Sequence, residues 1–185
     1  MGMPSLNSKN EIFMHEKLSE EGYELRKTGP RGEGIFATRT FVVGEIIMIG
    51  YILEVLSSND SHASQIGENK FIRHGGCIKK VNHSCEPNCG IKINISGAHD
   101  VIARKVITSN EELTLDYAMR NYRIEYFPGQ CLCGAPNCRG KITGWKDLPK
   151  ERKKIYAGFI APYLLELDKK YAQEAARVHE NLTTI

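Results

Sequence analysis

The stretch Asn82-His83-Ser84-Cys85-Glu86-Pro87-Asn88-Cys89 decides how this chain reads, together with Glu112-Leu113-Thr114-Leu115-Asp116-Tyr117 downstream. Taken alone, the first stretch is polar and turn-forming, because Asn, Ser and Pro all favour bends. It holds a His, a Ser and two Cys, so three readings compete for it. A Cys–His nucleophilic pair needs thiolate and imidazole to face one another, which sequence neighbours seldom do. A His–Cys metal site suits the residue types better. An ordinary tight turn around a satisfied His is the plainest reading.

The surrounding composition narrows the class. A chain of 185 residues with 41% hydrophobic content can bury one core and a short appendage. The longest apolar stretch, Phe41 to Leu56, is broken by Gly44, Glu45 and Gly50. Nothing approaches the roughly 20 apolar residues that cross a bilayer, so no membrane association is expected. The opening Met-Gly-Met-Pro-Ser-Leu lacks the layout of a signal peptide, and Leu6 stands where a myristoylation signal wants Ser or Thr. A cytoplasmic or nuclear location is expected. The net charge of +3 is too small to argue for nucleic acid as a direct ligand. Lys150, Arg152, Lys153 and Lys154 read as a solvated helix face. Without an export signal, Asn94-Ile95-Ser96 and Asn181-Leu182-Thr183 are chance matches to a glycosylation acceptor.

From about residue 11 to 117 the pattern is mainly β. Ile46 to Ile49, Tyr51 to Leu53, Ile91 to Ile95 and Asp100 to Arg104 read as short strands between turn-forming clusters. Ser57 to Gly76 is polar and turn-rich, and reads as surface loop or short helix. After Trp145 the pattern turns helical. Pro149 suits a first helical position and Gly158 a stop, while Pro162 opens a second helix with Leu164, Leu167, Tyr171, Ala175 and Val178 on one face. That face is expected to pack on the domain; a homodimer or other partner contact is the alternative.

Cys131-Leu132-Cys133-Gly134-Ala135-Pro136-Asn137-Cys138 offers three thiols with Gly and Pro to turn the chain between them. The six cysteines of a chain this long, with no export signal, read as metal ligands before disulfides. A structural zinc site takes four ligands, so a further one must come from elsewhere. Spacing alone does not choose among Cys77, Cys85 and Cys89.

The quoted segments, with Gly32 to Ala37, Gly44-Glu45, Tyr51 with Glu54, Ala103-Arg104 and Cys131 to Gly140, occur in an order that resembles the SET-domain protein lysine methyltransferases from about residue 23 to 143. The resemblance implies the SET β-fold with its knot-like crossing, followed by a C-terminal helical extension. It divides the chain into an N-terminal segment (1–22), a SET domain (23–120), a post-SET zinc segment (121–145) and C-terminal helices (146–185). It further implies an S-adenosylmethionine-dependent enzyme acting on a protein that presents a lysine. Arg31, Gly32, Glu33 and Gly34 would meet the methionine end of the cofactor; Asn82 and His83 would contact its polar groups and adenine, and Ile142 would pack on the adenine. Tyr117 would stand at the methyl-transfer centre and Tyr51 would line the lysine channel with it. Cys85 would join Cys131, Cys133 and Cys138 on zinc.

Several residues depart from the family pattern. Lys79-Lys80-Val81 replaces an Arg and an aromatic, Leu53 stands at a usual Gly, and Asn110 occupies another, tolerably, since Asn adopts left-handed conformations. Leu115, also in the channel by resemblance, replaces a Phe or Tyr that tunes methyl number. Lacking a hydroxyl, it is expected to leave room for a second or third methyl. The competing function is a catalytically silent SET-like zinc module that serves protein interaction.

Overall fold

The computed structural model describes residues 22–127 and 129–183. The N-terminal segment, the Val178 side chain and the side chains of the second acceptor tripeptide lie outside what is described. Among the described residues, ten short strands make three small sheets. The first has the order β1-β2-β10-β7, from Tyr23–Lys27, Glu33–Ala37, Glu112–Leu115 and Asn82–His83. The second has the order β3-β9-β8, from Ile46–Met48, His99–Ala103 and Cys89–Ile93. The third has the order β4-β6-β5, from Ile52–Leu56, Lys70–His74 and Ala63–Gly67. Helices α1 (Lys150–Ile155) and α2 (Tyr163–Thr183) follow. This is the mainly β architecture with a C-terminal helical extension that the sequence implied.

One core joins the first two sheets to the helical extension. Ile35, Ile91, Val101, Leu113 and Leu115 from the strands and Phe41 from the segment between β2 and β3 pack with Trp145, Tyr156 and Leu164 from the C-terminal part. Strand β9 is buried along its whole length, as a strand enclosed on both faces must be. Asn110 has φ +73°, the left-handed conformation expected where the pattern would carry Gly.

The segment Ser57 to Gly76 is a correction. It is a β-hairpin, with Ala63↔Arg73 and Gln65↔Phe71 in register and Asn69 left-handed in the turn. Polarity misled because Ser64, Gln65 and His74, which are polar, turn inward beside Ala63 and Ile72. Gln65 is buried, yet its Nε2 donates to the Gly67 carbonyl and its Oε1 accepts from the Tyr122 N–H at 2.9 Å. Those bonds offset burial, so a polar strand stays inside.

The helical extension follows its stripe only part way. Pro149 sits just before α1 and Gly158, at φ +82°, just after it. Along α2, Leu164 and Leu167 are buried and Tyr171 stacks on Tyr122 at 5.3 Å. Ala175 is exposed.

Candidate active site

The two motifs meet because β7 and β10 pair in parallel, setting Asn82 beside Thr114 and His83 beside Leu115. The chain then enters a short 3-10 turn, Tyr117–Met119, capped by Asp116, whose Oδ1 accepts from the Ala118 N–H at 3.1 Å. Tyr117 is thereby fixed against His83. Its N–H donates to His83 Nδ1 at 3.3 Å, and the rings meet edge-on at 5.2 Å. The Tyr117 hydroxyl donates to the Val81 carbonyl at 3.2 Å. Burial pushes the phenol above its ordinary range.

Burial also drives His83 down to about 4, against the pull of Asp116, so the ring is neutral near pH 7. With Nδ1 accepting from Tyr117, the proton sits on Nε2, which lies 3.4 Å from Cys85 Sγ.

Asn82, His83, Tyr117, Arg31 and Ile142 line one cavity of about 240 Å³, with Phe127 and Leu132 as further apolar wall. Its polar edge is braced by Glu112. Arg31 donates to both carboxylate oxygens at 3.1 and 2.7 Å, and Asn82 Nδ2 donates to Oε1 at 2.8 Å and to the Glu33 carbonyl at 3.0 Å. Gly34 makes that convergence possible, because a Cβ there would lie 2.5 Å from Glu112 Oε1 and 2.8 Å from Asn82 Nδ2. Gly32 and Glu33 lie beside this edge and not on the cavity wall. Lys80, one of the departures, pairs with Glu33 at 2.6 Å.

Tyr51 and Leu115 are also off this wall. Tyr51 is 53% exposed and lies across Gly75, where a Cβ would come within 2.0 Å of its ring. Leu115 is fully buried in the core.

The four sulfurs of Cys85, Cys131, Cys133 and Cys138 all lie within 4.8 Å of one another. A tetrahedron of thiolates about 2.3 Å from zinc has edges of about 3.8 Å, so the set fits the ion with a small contraction. Cys77 and Cys89 stand outside the group. Burial raises the Cys85 thiol to about 11; at Cys133 burial acts the same way, but backbone hydrogen bonds outweigh it and the thiol falls to about 7.

Asp116 ties this cluster to the rest. Wholly buried, it takes Arg139 on both oxygens at 2.7 and 3.0 Å, and the Tyr156 hydroxyl lies 2.9 Å from Oδ2. The Arg139 N–H in turn points at Cys85 Sγ. Sequence reading did not single out Glu112, Phe127, Arg139 or Tyr156. Glu112 lay inside a quoted motif and Arg139 directly follows Cys138; Tyr156 carried no local signal.

Residues 32–118 match the SET domain family. The H3 lysine-4 specific histone-lysine N-methyltransferase of Saccharomyces cerevisiae is 37% identical over 89 residues, 45% of this chain and 8% of that protein. Histone-lysine N-methyltransferase set-2 of Caenorhabditis elegans is 39% identical over 159 residues, 74% of this chain and 10% of that protein. This chain therefore spans about a tenth or less of the length of these curated relatives. Among solved structures, KRYPTONITE in complex with mCHH DNA, an H3(1-15) peptide and SAH superposes with a TM-score of 0.52 at 25% identity, covering 65% of this chain and 29% of that one. With the matched stretch folded as its relatives are and a four-cysteine cluster of the post-SET kind beside it, this chain belongs to the SET-domain family.

Proposed function

We propose that the chain is a protein-lysine N-methyltransferase that uses S-adenosylmethionine. The observation that carries this reading is the convergence of Tyr117, His83, Asn82, Arg31 and Ile142 on one cavity beside the cysteine cluster. The wall suits the cofactor's chemistry: Arg31 offers a cation to a carboxylate, Asn82 and the neutral His83 offer polar contacts, and Ile142 with Leu132 offers apolar cover for a purine. Held by Arg31, Asn82, His83 and Ile142, S-adenosylmethionine would supply an electrophilic methyl group to a neutral lysine amine. The chain's own contribution is alignment and exclusion of water. Tyr117, held by Val81 and His83, orients the amine; the resemblance assigns the exposed Tyr51 to the approach. Cys85, Cys131, Cys133 and Cys138 would hold zinc, and Arg139 with Asp116 fixes the zinc segment over the cavity. The SET domain spans 23–120 and the zinc segment 121–145, with the helices beyond.

The relatives' printed substrates make a histone H3 tail in the nucleus the first protein to test. Zinc-loaded protein with methyl-labelled cofactor and an array of lysine peptides is expected to label lysine. Cofactor binding without transfer to any peptide would favour the silent interaction module. Leu115 has no hydroxyl, so exhaustive reaction is expected to give di- or trimethyl product, and Leu115→Tyr to stop earlier. Monomethyl product from both proteins, read by mass spectrometry, would refute that.

A further inference from the structure

Arg120 ends the turn that carries Tyr117. Its carbonyl accepts from the Tyr163 hydroxyl at 2.6 Å, which ties the turn to α2. The residue is 4% exposed, and its guanidinium carbon stands 5.1 Å from the centre of the Tyr117 ring. Tyr117 lines the cavity and Arg120 does not, and the guanidinium lies over the face of the Tyr117 ring.

A guanidinium keeps its charge in any folded protein, so burial calls for a carboxylate or a set of acceptors. Among the described residues Arg120 has no carboxylate partner, and its buried Nε has no hydrogen-bond partner. The groups that face it are the phenols of Tyr117, Tyr126 and Tyr163 and the imidazoles of His74 and His99. None is anionic near neutral pH. Burial pushes Tyr126 up to about 12 and Tyr163 well above its ordinary value, and it drives His74 down to about 4. The two imidazoles stand 5.4 Å apart, and among the described residues their four buried ring nitrogens find no partner beyond a contact of His74 with the Tyr51 backbone. Among the described residues, no anionic group neutralises the charge.

We infer that Arg120 is a positioning residue: its uncompensated charge, set over the Tyr117 ring, makes the reaction point accept the target lysine only as a neutral amine. The inference rests on the methyltransferase reading and specifies how that site selects the reactive form of its substrate. A free lysine is an ammonium ion near neutral pH and has no lone pair to attack with. At this site the ammonium meets the charge of Arg120 and, with cofactor bound, that of a sulfonium. Its proton therefore passes to solvent water before the amine enters. A unit charge within several ångströms, at an effective dielectric of about 20, displaces such a titration by about one pH unit or more.

The test uses the whole zinc-loaded chain as wild type, Arg120→Met and Arg120→Lys, with kcat on a lysine peptide followed from about pH 6.5 to about pH 10. In Arg120→Met the rising limb is expected to move up by about one pH unit, so that the rate falls about tenfold near neutrality and recovers in base. Arg120→Lys is expected to keep the wild-type limb. Thermal unfolding without peptide or cofactor supplies a readout independent of turnover, and Arg120→Met is expected to melt at or above wild type. An equal loss at every pH, the same displacement in Arg120→Lys, or an Arg120→Met protein that melts below wild type overturns the inference. Absence of transfer by the wild type at every pH instead overturns the methyltransferase reading, while the melting comparison still decides whether Arg120 is unpaired.

Discussion

Asp116 and Arg120 are both buried beside Tyr117, three residues from it at most, and they are treated in opposite ways. Both Asp116 oxygens are engaged, by Arg139, Tyr156 and the Ala118 N–H. Arg120 faces phenols and neutral imidazoles, and around it, among the described residues, the nitrogens of His99 and the Ser64 hydroxyl are buried without partners and His74 meets only the Tyr51 backbone. The Asp116 side is built for rigidity: it fixes the zinc segment and α1 to the turn bearing Tyr117. The Arg120 side carries an electrostatic cost that stability alone would not select. A site that must align one partner and reject the charged form of another has use for both kinds of surroundings.

The largest expected effect comes from breaking the compensated side. Asp116→Ala leaves the Arg139 guanidinium, 15% exposed, without its counter-charge, and removes the acceptor beside the Tyr156 hydroxyl. Removing one partner of such a buried pair costs about 3–5 kcal/mol. Urea unfolding of the zinc-loaded protein is expected to show that loss with an unchanged m value. A loss below about 1 kcal/mol would mean that Asp116 is no hub, and the contrast with Arg120 would collapse.

Much of this contrast was out of reach of the sequence. The motifs holding Asn82, His83 and Tyr117 were legible because each is local and their order is a strong signal. The parallel pairing of β7 with β10 then brings them together. The strands from Ile46 to Ala103 were legible because β-branched runs alternate with turns. Ser57 to Gly76 was not, since Ser64 and Gln65 are polar residues turned inward and only the fold reveals the bonds that Gln65 makes. Arg31 with Glu112, and Asp116 with Arg139 and Tyr156, are joined across 81, 23 and 40 positions, and charge patterning carries no distance information at that range. Arg120 was illegible for a further reason: a charged residue in sequence reads as exposed, and the lack of a counter-charge is a property of the folded state alone.

The uncompensated side can be read through acid. His74 titrates near 6.5 when unfolded and is held down to about 4 by burial in the fold. Below pH 6.5 the unfolded chain therefore binds a proton that the folded chain refuses, and stability falls as pH drops toward 4. By about pH 5.5 this one residue is expected to have cost roughly 1.2 kcal/mol relative to neutral pH. His74→Phe removes the titrating ring while filling the space, so its stability is expected to change less than wild type's over the same range. Equal acid sensitivity of the two proteins in denaturant titrations would show that His74 is solvated after all.

A matched pair of small substitutions sharpens the same point with the least disturbance. Ser84, beside Cys85 on the Asp116 side, is 7% exposed, and its hydroxyl oxygen accepts from the Glu86 N–H at 3.1 Å. Ser64 is fully buried on β5, opposite Ile72, and its hydroxyl has no partner among the described residues. Ile72 and His74 alternate to the same face of β6, so Ser64 belongs to the interior that holds the imidazoles. Ser84→Ala strands a donor and is expected to cost about 1 kcal/mol. Ser64→Ala strands nothing and removes a desolvated hydroxyl, so stability is expected to hold or rise by up to about 1 kcal/mol. The volume change is the same in both, which leaves hydrogen bonding to set the sign. Melting temperatures that fall equally in both variants would mean that Ser64 has a bonding partner, such as an ordered water, and that this interior is better compensated than its protein atoms alone make it.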